Sequence, residues 1–93
     1  MRIAVIDDLE RDARQLADQV STYMSTHRIP ADTPEIFPGG EEFLAGFMPG
    51  VYDIIFLDIY MNGINGMETA RKIRLWDTSC HIIFVTTSSD FAV

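Results

Sequence analysis

The chain has 93 residues, 47% of them apolar and 23% charged, globular proportions that exclude disorder and low complexity and leave room for one domain at most. Fourteen acids against seven bases give a formal charge of −7, which excludes a nucleic-acid or anionic-membrane surface, because those need clustered Lys and Arg. One cysteine, Cys80, permits neither an internal disulfide nor a zinc or CxxC pair, so a reducing compartment is expected.

In chain order, the apolar run Ile3-Ala4-Val5-Ile6 comes first and stops at Asp7-Asp8. It is too short for a signal-peptide core or a membrane span, and the chain reads as cytoplasmic. Its unbroken apolarity suits a strand buried on both faces, as in a parallel sheet. Leu9, Ala13, Leu16, Ala17, Val20 and Met24 then fall on one helical face behind a possible Asp8 cap, predicting a helix over 9–27. His27 near its end suits the negative pole of the helix.

The 30–50 stretch holds all four prolines and four of the six glycines, too much punctuation for long elements. A short strand at Glu35-Ile36-Phe37 and a short helix from Gly40 to Met48 fit there, with Phe43, Leu44 and Phe47 inward and Glu41-Glu42 in the acidic first turn. A second buried-type run spans Ile54 to Leu57. A helical face of Met67, Ala70 and Ile73 follows, opening after Asn65-Gly66 and closing near Trp76-Asp77, with Trp76 read as a cap on the core or else as an exposed aromatic able to contact a partner. A third run covers Ile82 to Val85. The order is β-α-β-α-β-α-β, which specifies right-handed crossovers and a doubly wound α/β sandwich.

Each of the three runs ends in a polar residue: Asp7, Asp58 and Thr86. In such sheets ligands bind beyond the carboxyl ends of the strands, where the strand order reverses. With strand order 2-1-3-4 that point lies between the strands ending in Asp7-Asp8 and Asp58. Three carboxylates held together repel, which raises pKa values or demands a cation. Oxygen donors with retained waters and substrate oxygens favour Mg²⁺. Asp58 is then placed as a nucleophile towards phosphorus, and Thr86 as a donor to a phosphoryl oxygen.

Ile3 to Asp8, Phe56-Leu57-Asp58-Ile59-Tyr60-Met61-Asn62-Gly63-Ile64-Asn65-Gly66-Met67-Glu68, and Ile82 to Thr86 together resemble the receiver domain of two-component response regulators. The resemblance covers 1–93 and implies a flavodoxin-like parallel sheet of order 2-1-3-4. It implies that Asp58 accepts a phosphoryl group from a sensor histidine kinase or a small phosphodonor. Mg²⁺ would be held by Asp7, Asp8, Asp58 and the backbone carbonyl of Tyr60, with Thr86 as the switch hydroxyl. The ending Phe84 to Val93 resembles receivers that precede LytTR-type DNA-binding domains. DNA contact and transcription regulation would then reside in an output domain outside this chain.

Two departures stand out. The family usually has proline where this chain has Asn62, which predicts a less rigid loop. A fifth strand carrying a lysine partner for the phosphoacceptor is also expected, yet the only lysine is Lys72. A receiver ending here would lack that strand and the last helix, phosphorylate weakly, and pair with a second copy through its exposed edge or by exchanging elements.

Plainer readings stand beside these. An Asp pair after a strand is by itself a helix cap, a lone strand-end Asp a solvated acid, and a lone Thr a β-former. Arg71, Lys72 and Arg74 read as a solvated helix face, His81 as a strand entrance and Cys80 as inert. The competing functions are a receiver-like interaction module that takes no phosphate, and an aspartate-nucleophile phosphatase. The phosphatase expects a second acid two residues after Asp58, where Tyr60 stands.

Overall fold

The structure, a computed structural model, describes residues 1–86. It contains β1 (Ile3–Ile6), α1 (Glu10–Thr26), β2 (Glu35–Phe37), α2 (Gly40–Ala45), β3 (Ile54–Asp58), α3 (Gly66–Trp76) and β4 (His81–Val85). All four strands are parallel, in the order β2-β1-β3-β4, as the alternation of elements predicts. Segment 87–93, which carries most of the LytTR-type resemblance, lies outside the described residues.

Alternation along β1 divides the core between the two sheet faces. Ala4 and Ile6 share one cluster with Ile55 and Leu57 of β3, Phe43 of α2, and Ala70 and Ile73 of α3. Val5 lies in the other, with Ala13 and Ala17 of α1 and the half-buried Phe56. Every β1 side chain is buried, so a polar residue anywhere in that run would lose water without gaining a partner. Phe43 anchors the α2 side, edge-on to Phe37 at 5.0 Å and 5.3 Å from Tyr52. Burying such a ring contributes about 2–3 kcal/mol.

Several local expectations change in the structure. Asp8 does not cap α1: the cap position is Leu9, which is exposed and makes no side-chain cap bond. Asp7 and Asp8 instead accept backbone N–H groups at the strand end. Helix α2 stops at Ala45 rather than Met48. Gly46 weakens helix continuation and Pro49 disfavours helical backbone at Met48.

On α3, Thr69 takes the inward place expected of Met67, with Oγ1 donating to the Asn65 carbonyl at 2.9 Å. Trp76 is 70% exposed and does not cap the core. The neighbouring Asp77 is the buried residue there, one turn beyond Ile73, and the helical step between adjacent positions turns the indole outward. Strand β4 is not buried on both faces: Ile83 and Phe84 are 42% and 40% exposed. Among the described residues β4 pairs with β3 alone.

The amino end of the sheet is closed by matched polar groups. The Arg2 guanidinium donates to Glu35 at 2.7 and 3.2 Å. The Tyr52 hydroxyl donates to the same carboxylate at 3.0 Å, and Arg2 lies 5.0 Å from the Tyr52 ring centre. Nearby, Asp77 accepts N–H groups from Gly50 at 2.8 Å, Ser79 at 2.8 Å and Cys80 at 3.0 Å. These bonds tie the end of α3 to the segments that lead into β3 and β4. They also hold the Asp77 carboxyl below its ordinary pKa.

Candidate functional site

Register builds the site. Ile6 of β1 pairs with Leu57 of β3, so the next residues, Asp7 and Asp58, emerge side by side. Asp58 in turn pairs with Val85 of β4, and the Ile59 N–H donates to the Val85 carbonyl at 3.3 Å. Thr86 follows directly, exposed at the strand end. Strand order reverses between β1 and β3, which is where an open parallel sheet offers its crevice.

One carboxylate oxygen from each of Asp7, Asp8 and Asp58 lies within 4.8 Å of the other two. Asp7 and Asp58 are buried and Asp8 is half-exposed, so the cluster opens to solvent on the Asp8 side. Each carboxylate accepts a backbone N–H: Asp7 from Leu9 at 2.9 Å, Asp58 from Tyr60 at 3.2 Å, and Asp8 from Asn62 at 3.0 Å. At Asp58 the Tyr60 bond does not offset burial and the neighbouring carboxylates. Burial pushes the Asp58 pKa up to about 6; the Tyr60 N–H opposes this, while Asp7, through charge and a shared hydrogen bond, and Asp8 add to the rise. The donor set therefore suits a small, hard divalent cation, for which carboxylate oxygens plus solvent are the preferred ligands.

The loop between Asp58 and α3 is shaped by glycines. Gly63 has φ +76°, a left-handed conformation that other residues rarely adopt. A Cβ on Gly66 would collide with the backbone of Asp58 and Ile59, and the Gly66 N–H donates to the Ile59 carbonyl at 2.9 Å. Glycine there lets the first turn of α3 close directly on the residues after Asp58. Asn65 caps that turn, its side chain accepting the Glu68 N–H at 2.9 Å.

The structure thus brings Asp7, Asp8 and Asp58 together, ties Tyr60 to Asp58 through its N–H, and places Thr86 on the neighbouring strand end. Lys72 lies on the exposed face of α3. The structure adds one contact that the sequence reading did not anticipate: the Asn62 N–H is bonded across to Asp8 at 3.0 Å. No residue pattern signals a backbone contact, although an amide in place of proline does supply a donor.

A parallel α/β sandwich with clustered carboxylates at its switch point defines a class of doubly wound proteins whose ligand site lies at the strand ends. Within that class, residues 3–93 match the response regulator receiver domain family, and the chain belongs to it. It is a signalling phosphoacceptor domain of flavodoxin-like fold.

The chain is 32% identical over 93 residues to the sensory transduction protein LytR of Staphylococcus epidermidis, covering 100% of this chain and 35% of that protein. It is 34% identical over 73 residues to the transcriptional regulatory protein ResD of Bacillus subtilis, covering 78% of this chain and 28% of ResD. The chain thus spans about a third of these relatives. Among solved structures it is similar to the response regulator TrrA of Thermotoga maritima in complex with Mg²⁺ and beryllofluoride, with a TM-score of 0.67, 32% identity, and coverage of 97% of this chain and 72% of that one. The structure of the histidine kinase ThkA in complex with TrrA matches with a TM-score of 0.75 and 32% identity, over 99% of this chain and 73% of that one. Among the described residues no helix is long and apolar enough to cross a membrane.

Proposed function

We propose that Asp58 is the phosphoacceptor of a cytoplasmic two-component response regulator and receives its phosphoryl group from a sensor histidine kinase. The observation that carries this is the convergence of Asp7, Asp8 and Asp58 within 4.8 Å, with Asp58 at the crevice of the sheet. The Asp58 carboxylate attacks the phosphohistidine phosphorus, the P–N bond breaks, and the electron pair returns to the imidazole. An acyl phosphate forms on Asp58.

Asp7, Asp8, Asp58 and the Tyr60 carbonyl would hold Mg²⁺, which supplies charge neutralisation for the phosphoryl oxygens. The complex of TrrA with Mg²⁺ and beryllofluoride supports that assignment. Asp7 and Asp58, both buried, present fixed oxygens, and the half-exposed Asp8 leaves a solvent-facing side for phosphodonor access. Thr86, one residue beyond the Asp58–Val85 pairing, would be the hydroxyl that turns towards the new phosphoryl group. The acyl phosphate adds negative charge and three acceptor oxygens to this strand end, and a Thr86 hydrogen bond to them would pull the β4 end inward.

A histidine kinase partner is supported by the ThkA–TrrA complex. Transcription regulation through a DNA-binding output domain, LytTR-type by resemblance, belongs to the same proposal, and the similarity to ResD, a transcriptional regulatory protein, supports the regulatory part of it. A second copy pairing along β4 is a further part of the proposal, supported by the exposed Ile83 and Phe84.

The test is to incubate the intact protein with Mg²⁺ and either acetyl phosphate or a sensor kinase and measure its mass. A gain of one phosphoryl group that Asp58→Asn abolishes is expected. No gain, or a gain that survives the substitution, would favour the interaction module that takes no phosphate.

A further inference from the structure

Of the three backbone contacts described above for the clustered aspartates, two are local: Leu9 bonds Asp7 and Tyr60 bonds Asp58, each two residues along the chain. The third spans 54 positions, from the Asn62 N–H to Asp8 Oδ2 at 3.0 Å. It alone of the three joins the loop after β3 to the loop after β1. It also falls on the one carboxylate of the cluster that burial does not already hold.

We propose that the Asn62 backbone N–H is the group that positions Asp8 for the divalent cation. The inference rests on the reading of Asp7, Asp8 and Asp58 as a cation site and adds to it a residue that makes no contact with the ion. A half-exposed Asp side chain samples several rotamers, and fixing it costs entropy when a ligand binds. A charge-assisted N–H bond formed beforehand removes part of that cost. A carboxylate accepts at about four lone-pair positions, so the N–H and a cation can share Asp8.

The bond also runs in the other direction. Whatever orders Asp8 orders the loop that carries Tyr60, so cation binding and loop order support one another. The side chain of Asn62 plays no part in this, and any residue except proline could donate the same bond. Proline has no N–H.

This separates two variants cleanly. Asn62→Ala keeps the donor and is expected to bind Mg²⁺ within about twofold of wild type, because it leaves the hydrogen bond intact. Asn62→Pro removes the donor and is expected to bind about three- to tenfold more weakly, the effect of one partly exposed hydrogen bond to a charged group. Calorimetric titration of the intact protein with MgCl₂ reads both. Equal affinity of Asn62→Pro and wild type would overturn the inference, as would Asn62→Ala weakening as much as Asn62→Pro.

Because proline can disturb the loop for other reasons, amide hydrogen exchange provides the second measurement. Without metal, the Asn62 amide is expected to exchange slowly in wild type and faster in Asp8→Ala. Indifference of that amide to the Asp8 substitution would sink the inference even if Asn62→Pro failed to fold. Failure of wild type to bind Mg²⁺ at all would instead overturn the cation-site reading beneath it.

Discussion

Asp58 and Asp77 are nearly equal in solvent exposure, at 1% and 5%, and stand at opposite ends of the same sheet. Their chemistry differs in sign. Asp77 accepts three backbone N–H groups, and its carboxyl is held below the ordinary range. Asp58 accepts the Tyr60 N–H, faces Asp7 and Asp8, and is pushed up to about 6. A buried carboxylate with enough donors knits segments together, whereas one among like charges is a standing demand for a cation or proton. The amino end of this sheet is built for stability and the carboxyl end holds free energy in reserve for a ligand.

The largest expected effect tests the stabilising end. Asp77→Ala leaves three backbone N–H groups without their acceptor, and a melting temperature lower by about 20 °C is expected for a domain of this size. A change of a degree or two in thermal unfolding would show that water replaces the carboxylate at no cost.

Asp58→Asn is expected to act in the opposite direction. The folded pKa of about 6 lies above the ordinary 3.8, so the folded state binds the proton more tightly than the unfolded state does. That contribution is fully present below about pH 4 and is lost as pH rises through 6. At pH 7 the wild type therefore carries the cost of an ionised Asp58. Discounted for screening at the open Asp8 side, removing it stabilises by on the order of 2 kcal/mol. Urea melts from pH 4 to pH 7.5 check this, and a pH-independent difference between the two proteins would break the comparison.

Mg²⁺ sharpens the contrast further. At a concentration 100-fold above its dissociation constant it is expected to stabilise the wild type by about 2.7 kcal/mol. The gain should shrink in Asp58→Asn and persist in Asp77→Ala wherever that variant folds. Equal gains in all three proteins would place the cation elsewhere.

The smallest effect belongs again to the amino end. Tyr52→Phe removes the hydroxyl bond to Glu35 but keeps the ring among Phe37 and Phe43, so a loss of about 0.5–1 kcal/mol in urea denaturation is expected. A loss above about 2 kcal/mol would mean that the Arg2–Glu35–Tyr52 network acts as one unit.

Much of this contrast was legible in the sequence, but unevenly. The runs ending in Asp7, Asp58 and Thr86 gave the strands and the acidic edge, because a strand buried on both faces must be apolar throughout and polar only where it leaves the core. Asn65-Gly66 marked the start of α3 because a side-chain cap and a close backbone approach each require a particular residue. Trp76 and Asp77 were harder. Helical periodicity and hydrophobicity favour the indole as the inward group, and only the N–H groups of Gly50, Ser79 and Cys80 make the carboxylate the better occupant.

By itself, the sequence determined the alternation of strands and helices, the parallel order it implies, and the identity of the residues at the strand ends. Those follow from local rules of burial, periodicity and capping. Only the tertiary structure decided which buried aspartate is satisfied and which is opposed, and that Asn62 reaches Asp8. Both depend on backbone groups supplied by distant segments, from Gly50 to Asp77 and from Asn62 to Asp8. Every residue type except proline carries the same N–H, so its direction emerges only when the chain has folded.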